Sequence, residues 1–181
     1  VIERLGRENL DAIEATISKY AIECDFEWNG ELRVALEDWQ MNGIKEEAEL
    51  RNSFGDNVEL LSQAQIQARI KSPIYKGALW DPDGTALVDP ARLVWGLERA
   101  CISLGVKIFE NSHVDRLEST NSGMIVYTQY GSVYATKVAL ATNVFKSLIK
   151  RAHKYVIPVY DFQLVTEPLT SQQLESIGWS D

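Results

Sequence analysis

Apolar residues Ile2, Leu5, Ile13, Ile17 and Ala21 recur near helical spacing, with Glu3, Arg4, Arg7, Glu8 and Lys19 between them. That period predicts an amphipathic helix over roughly the first 20 residues. From Cys24 the pattern becomes an alternation: Phe26, Trp28, Leu32, Val34 and Leu36 are separated by polar residues around Asn29-Gly30. Asn-Gly suits a two-residue turn in which both positions need positive φ, so a β-hairpin is predicted over 24–37. Residues 38–54 are helical again and rich in Glu. Residues 58–61 read as a short strand. Ser62, with Gln65 three positions on, opens a helical turn as a weak capping box.

Residues 72–90 are the least regular stretch. Within it, 74–80 is predicted as a strand and Pro82-Asp83-Gly84 as a turn. The clearest local signal follows. Asp89 suits an N-cap, and Pro90 stands at the first helical position, where its missing N–H costs nothing. Leu93, Leu97, Ala100, Cys101 and Leu104 make one apolar face, and Gly105 is the C-terminal stop. Val106-Lys107-Ile108-Phe109 then reads as a buried strand, completing half of a strand–helix–strand unit. Residues 114–141 predict a three-stranded antiparallel meander, with strands at 114–117, 124–127 and 133–140 and turns at 121–123 and 130–132. A short helix over 144–149, a strand over 158–165 and a helix from about Ser171 complete the chain. Neither an internal repeat nor a low-complexity linker is visible.

Composition narrows the function classes. The 181 residues carry 18 Lys+Arg against 26 Asp+Glu, a formal net charge of -8. A globular chain of this length buries roughly 70% of its unfolded surface, enough for one good core or two small ones. The acidic balance argues against nucleic acid as a partner, because phosphate contacts need clustered Lys and Arg. The one basic cluster, Lys146, Lys150, Arg151 and Lys154, is too sparse to reverse that. No apolar run is long enough for a membrane helix. Two cysteines, Cys24 and Cys101, make no disulfide framework and fit a reducing compartment, the cytoplasm. The chain opens on Val1 without a signal-peptide pattern and stops just past Gly178-Trp179. It reads as excised from something longer, the alternative being N-terminal processing of a small protein.

Common chemical signatures are missing. His113 and His153 are not at metal-ligand spacing, so no zinc site is predicted. Gly-x-Ser-x-Gly, Gly-x-Gly-x-x-Gly and the phosphate-loop pattern do not occur. Asp81, Asp83 and Asp89 read as turn and cap residues, not calcium ligands. Glu3 with Arg7, and Glu46 and Glu47 with Arg51, read as pairs along solvated helix faces. Cys101 reads as a structural thiol on an apolar face, Cys24 has no adjacent base, and His113 defaults to a surface imidazole. Trp28, Tyr75, Trp80, Tyr155 and Tyr160 lie in or near the hairpin, the irregular stretch and the late strand. There packing and ligand-wall roles compete.

Gly77-Ala78-Leu79, Pro82-Asp83-Gly84, Val88-Asp89-Pro90, a helix, Gly105-Val106-Lys107-Ile108, Val114 and Val138-Ala139-Leu140-Ala141-Thr142-Asn143 follow in one order. This order resembles the middle of FAD-dependent amine and amino-acid oxidoreductases of the D-amino-acid-oxidase/glycine-oxidase superfamily. The subgroup it most resembles is similar to gamma-glutamylputrescine oxidoreductase. Phe26-Glu27-Trp28-Asn29-Gly30 and Thr166-Glu167-Pro168-Leu169 also fit that subgroup, and the resemblance spans essentially the whole chain.

The resemblance implies a mixed α+β and α/β fold: a partial, Rossmann-like FAD-binding domain with a β-meander, interleaved with a mixed-sheet substrate domain. It assigns 1–84 to the substrate side, 85–150 to the FAD-binding side and 151–181 to a return to the substrate domain. The 106–109 strand would then join a parallel sheet. It implies cofactor contacts at Val114 and at Ala141-Thr142-Asn143, where the family usually has Ala-Thr-Gly. Asn143 tolerates the left-handed backbone such a turn needs. Tyr75, Trp80 and Tyr160 are the implied substrate walls, and the catalytic residue is not assigned. The implied activity is oxidation of a C–N bond in an amine or amino acid, with hydride passing to the flavin. Oxygen as acceptor would make the enzyme an oxidase and another acceptor a dehydrogenase. The glycine-rich phosphate unit of the family does not occur among the 181 residues, so the chain alone is expected to bind FAD poorly and to be inactive. Two other classes stand beside this reading: a non-catalytic small-ligand or protein-binding α+β module, and a structural domain of a larger assembly.

Overall fold

A computed structural model of the chain describes residues 2–145 and 147–178, apart from the side chains of Glu3 and His153. Lys146 and the His153 imidazole therefore lie outside the described residues. Two compact units emerge: Val1–Val106 with Thr166–Asp181, and Lys107–Val165.

The first unit begins with α1 (Ile2–Lys19), the amphipathic helix its periodicity predicts. β1 (Glu31–Ala35), β2 (Glu59–Ser62) and β3 (Gly77–Asp81) form an antiparallel sheet in the order β1-β3-β2. Strand alternation sends neighbouring residues of β3 to opposite faces. On one face Leu79 and Ala35 pack with Ile44 and Ala48 of α2 (Asp38–Ser53) and with Val58. On the other, Ala78 and Leu61 pack with Ile66 of α3 (Gln63–Arg69), and Trp80, Leu32, Val34 and Tyr75 extend that cluster. The Ser62–Gln65 capping box is formed and fixes the start of α3.

α4 (Pro90–Ser103) is capped as its sequence predicts. The Asp89 carboxylate accepts from the Ala91 and Arg92 N–H groups, both at 3.0 Å. Gly96 sits where this helix meets Ile22, because a Cβ there would stand 2.2 Å from Ile22 Cγ2. The last helix, α5 (Ser171–Ile177), starts on a Thr170–Gln173 capping box. Its final turn is tied to the first unit by the Lys71 N–H, which donates to the Ile177 carbonyl at 2.7 Å.

The second unit is built on the predicted meander: β4 (Val114–Ser119), β5 (Met124–Thr128) and β6 (Gly131–Ala135), antiparallel in that order. A 3-10 helix follows at Lys150–Lys154.

Six expectations are corrected. The 24–37 hairpin does not form. Glu27 instead exchanges both backbone bonds with Leu87, at 3.0 and 2.8 Å, and the Gly30 N–H donates to the Thr85 carbonyl at 3.1 Å. Gly30 keeps a positive φ of 66°. It serves a close approach instead of a tight turn, since a Cβ there would stand 2.5 Å from Trp80 Cη2 and from the Asp81 carbonyl. Residues 106–109 are not a strand, and Val106, Ile108 and Phe109 are 50%, 45% and 73% exposed. Residues 158–165 likewise form no strand. A strand needs a hydrogen-bonding neighbour, and among the described residues neither stretch has one. For the same reason every described strand pair is antiparallel and the expected parallel sheet is absent among them. The third meander strand ends at Ala135 instead of Leu140, because β5 is exhausted where Met124 pairs with Ala135. Among the described residues of the helix expected over 144–149 no helix forms, and residues 142–145 make a turn in which the Phe145 N–H donates to the Thr142 carbonyl, with Asn143 in the left-handed region.

Candidate functional site

Each unit carries its own candidate residues. In the first, β3 places Trp80 opposite Leu32 of β1 and Glu59 of β2. One ring contact is Gly30, and the Arg69 guanidinium at the end of α3 lies 5.0 Å from the ring centroid. Tyr75 lies just before β3. Its N–H donates to the Ser72 carbonyl and its carbonyl accepts from Gln67 Nε2, both at 3.3 Å. Both aromatics therefore pack on the Leu61–Ile66–Ala78 cluster under α3. Both are half-buried.

Asp81, next to Trp80, is a buried charged residue, 8% exposed. Its carboxylate accepts from Arg51 Nη2 at 2.5 Å and from the Asp83 N–H at 3.2 Å. Arg51 Nε also reaches Asp56 at 2.8 Å, and Arg7 Nη2 reaches the other Asp56 oxygen at 2.6 Å. This chain of charges joins α1, the end of α2 and the end of β3. Partial burial pulls the Arg51 pKa down. Hydrogen bonds to Asp81 and Asp56, with their negative charge, outweigh that and hold it above the ordinary arginine value. The sequence reading has Arg51 pairing along its own helix. The structure sends it to Asp56 and Asp81, and Glu47 pairs with Arg33 at 2.5 Å. A cleft of about 330 Å³ lies beside this network, lined by Arg7, Leu10, Asp11, Trp28, Pro82 and Asp83.

In the second unit Val114 opens β4 opposite Thr128. The register then slips: Arg116 pairs with Tyr127, so Asp115 is an extra residue in the ladder. Such a bulge leaves main-chain polar groups outside the sheet's own bonding. Ala141, Thr142 and Asn143 are exposed, and Asn143 has φ 49°, the left-handed conformation its residue type tolerates. A cleft of about 790 Å³ is lined by His113, Asp115, Arg116 and Leu117 around the bulge and by Ser147, Leu148 and Lys150 beyond Asn143. Tyr160 belongs to this unit and is 83% exposed, with no regular structure around it.

Sequence reasoning misses Arg69 over Trp80 and the Arg51–Asp81 pair, since neither spacing carries a local signal. It treats His113 as a lone surface imidazole, whereas the fold sets it beside Arg116 and Lys150 on one cleft. Cys24 is buried and Cys101 half-buried, both free. Among the described residues no group of His, Cys, Asp and Glu is placed to hold a metal ion, and no helix is long and apolar enough to cross a membrane.

Comparison with known proteins decides the family. The model of the family described as "DAO: FAD dependent oxidoreductase" matches residues 1–180. The chain belongs to this family. It is 33% identical over 180 residues to the probable oxidoreductase OrdL of Haemophilus influenzae, covering 96% of this chain and 41% of that protein. Among solved structures it resembles glycine oxidase from Geobacillus kaustophilus, with TM-score 0.69 and 21% identity over 78% of this chain and 39% of that one. It also resembles L-proline dehydrogenase from P. horikoshii, with TM-score 0.65 and 20% identity over 80% and 38%. These likenesses show the mixed α/β fold of the FAD dependent oxidoreductases. The chain spans about two fifths of the length of these relatives.

Proposed function

We propose that this chain is part of an FAD-dependent enzyme that oxidises a C–N bond of an amine or amino acid. The observation that carries the reading is the family match over residues 1–180. The names of two structural neighbours, glycine oxidase and L-proline dehydrogenase, support an amino compound as substrate. On this reading 85–150 lies on the FAD side, 1–84 and 151–181 lie on the substrate side, and the enzyme works in the cytoplasm.

The residues present fit one end of the cofactor. The bulge after Val114 frees main-chain donors and acceptors for the edge of a base, and the Asn143 turn exposes backbone at Ala141-Thr142-Asn143. The phosphates are another matter: no glycine-rich cradle occurs in the 181 residues. When bound, FAD supplies the electron acceptor for the amine carbon. The chain's own part is to orient and to exclude water: in the second unit Val114 and 141–143 would hold the base end, and in the first Tyr75 and Trp80 would line the substrate side.

Two measurements test this. The 181-residue chain titrated with FAD should show no saturable binding at micromolar concentrations, and micromolar affinity would contradict the division of labour proposed. In the complete enzyme, Trp80→Ala should raise KM for its amine substrates. Unchanged steady-state kinetics across several amines would remove Trp80 from the substrate wall.

A further inference from the structure

The sequence holds two Asn-Gly pairs: Asn42-Gly43 lies inside α2, whereas Asn29-Gly30 lies outside any helix or strand. The latter makes no hairpin. It leads into β1, with Asn29 exposed and its amide donating to Glu27 Oε2 at 3.2 Å. Asparagine is among the thermally labile side chains. A following glycine removes the steric barrier to ring closure by its own backbone nitrogen, because no Cβ shields that atom.

We propose that Asn29-Gly30 is a self-modification site that deamidates through a cyclic imide. The Gly30 nitrogen attacks Asn29 Cγ, a C–N bond forms, and the side-chain nitrogen leaves as ammonia, carrying the Gly30 proton. Water then opens the ring at either carbonyl, giving aspartate or its isoaspartyl isomer at position 29. No oxidant or further reactant is needed.

The structure also supplies a gate. The Gly30 N–H is engaged with the Thr85 carbonyl at 3.1 Å, and the Glu27–Leu87 bridge braces the same loop. Ring closure must wait for local opening of this pairing. The rate at Asn29 is therefore a clock for how often the 27–30 and 85–87 segments separate.

The product would not be silent. A carboxylate at 29 faces Glu27 where an amide donor stood, replacing an attraction by a like-charge contact. The isoaspartyl form lengthens the main chain by one carbon immediately before Gly30. That residue has no slack, because even a Cβ would meet Trp80 and the Asp81 carbonyl at 2.5 Å. Ageing at position 29 would thus loosen the contact that holds Trp80.

Asn42-Gly43, whose backbone is held in α2, and three Asn residues that precede serine serve as internal controls. Asn52 is held by two bonds to Val58, and Asn111 and Asn121 lie in exposed loops. The protein from its complete reading frame is incubated in mildly alkaline buffer and mapped by peptide mass spectrometry. Conversion of amide to acid should appear at Asn29 severalfold faster than at Asn111 or Asn121, and severalfold faster again in urea. Conversion at Asn121 or Asn111 ahead of Asn29, or a rate at Asn29 unchanged by urea, would overturn the proposal. Asn29→Gln should abolish the mass gain in that peptide, and its persistence there would also overturn it.

Discussion

At the scale of single residues, Arg51 and Gly30 carry more than their sequence context suggests. Arg51 bonds two mostly enclosed carboxylates, Asp56 and Asp81, whose side chains are 5% and 11% exposed. Removing one partner of such a pair leaves buried charge without compensation. Arg51→Ala should therefore cost about 3 kcal/mol in unfolding free energy, measured by urea denaturation. A loss within about 0.5 kcal/mol would mean that the carboxylates relax into water. The raised Arg51 pKa gives a definite sign with pH. Its contribution is fully present at neutral pH and is lost only as pH rises through a value beyond the ordinary arginine range. Neither role is legible in the sequence. The partners of Arg51 in this network lie 5 and 30 positions away, and Gly30 sits in a dipeptide whose local meaning is a turn. Asn143 is the opposite case: the resemblance puts a turn there, asparagine tolerates a left-handed backbone, and φ is 49°.

At the scale of elements, what is local in origin is legible. α4 shows this most clearly, because Asp89, Pro90 and the apolar face all act within one segment, and Gly105 follows with φ 86°. Asp89→Ala removes acceptors for two helix N–H groups and should cost about 1 kcal/mol, read from the shift in urea midpoint at constant slope. A shift of zero would mean that Pro90 and packing on Ile22 fix the helix start without the cap. The capping boxes at Ser62 and Thr170 and the central strands of the meander are local in the same sense. Strands that depend on a distant neighbour are not. The alternation at 24–37 is shared between an isolated bridge to Leu87 and a ladder to β3, and periodicity does not name the partner. Residues 106–109 and 158–165 have strand-like sequences, yet no described strand pairs with either. Of the candidate site, Tyr75 and Trp80 were legible as aromatics near a strand, but the Arg69 contact was not.

At the scale of the whole molecule, the order of short motifs resembles the FAD dependent oxidoreductase family, and the match over residues 1–180 establishes it. The fold is shared with glycine oxidase at TM-score 0.69. The central functional claim is that the protein to which this chain belongs holds FAD and uses it on an amine. The most direct measurement is the visible spectrum of the protein purified from its complete reading frame. The account predicts flavin absorption, with FAD released on denaturation. A folded, colourless product that stays colourless after FAD is added would contradict it.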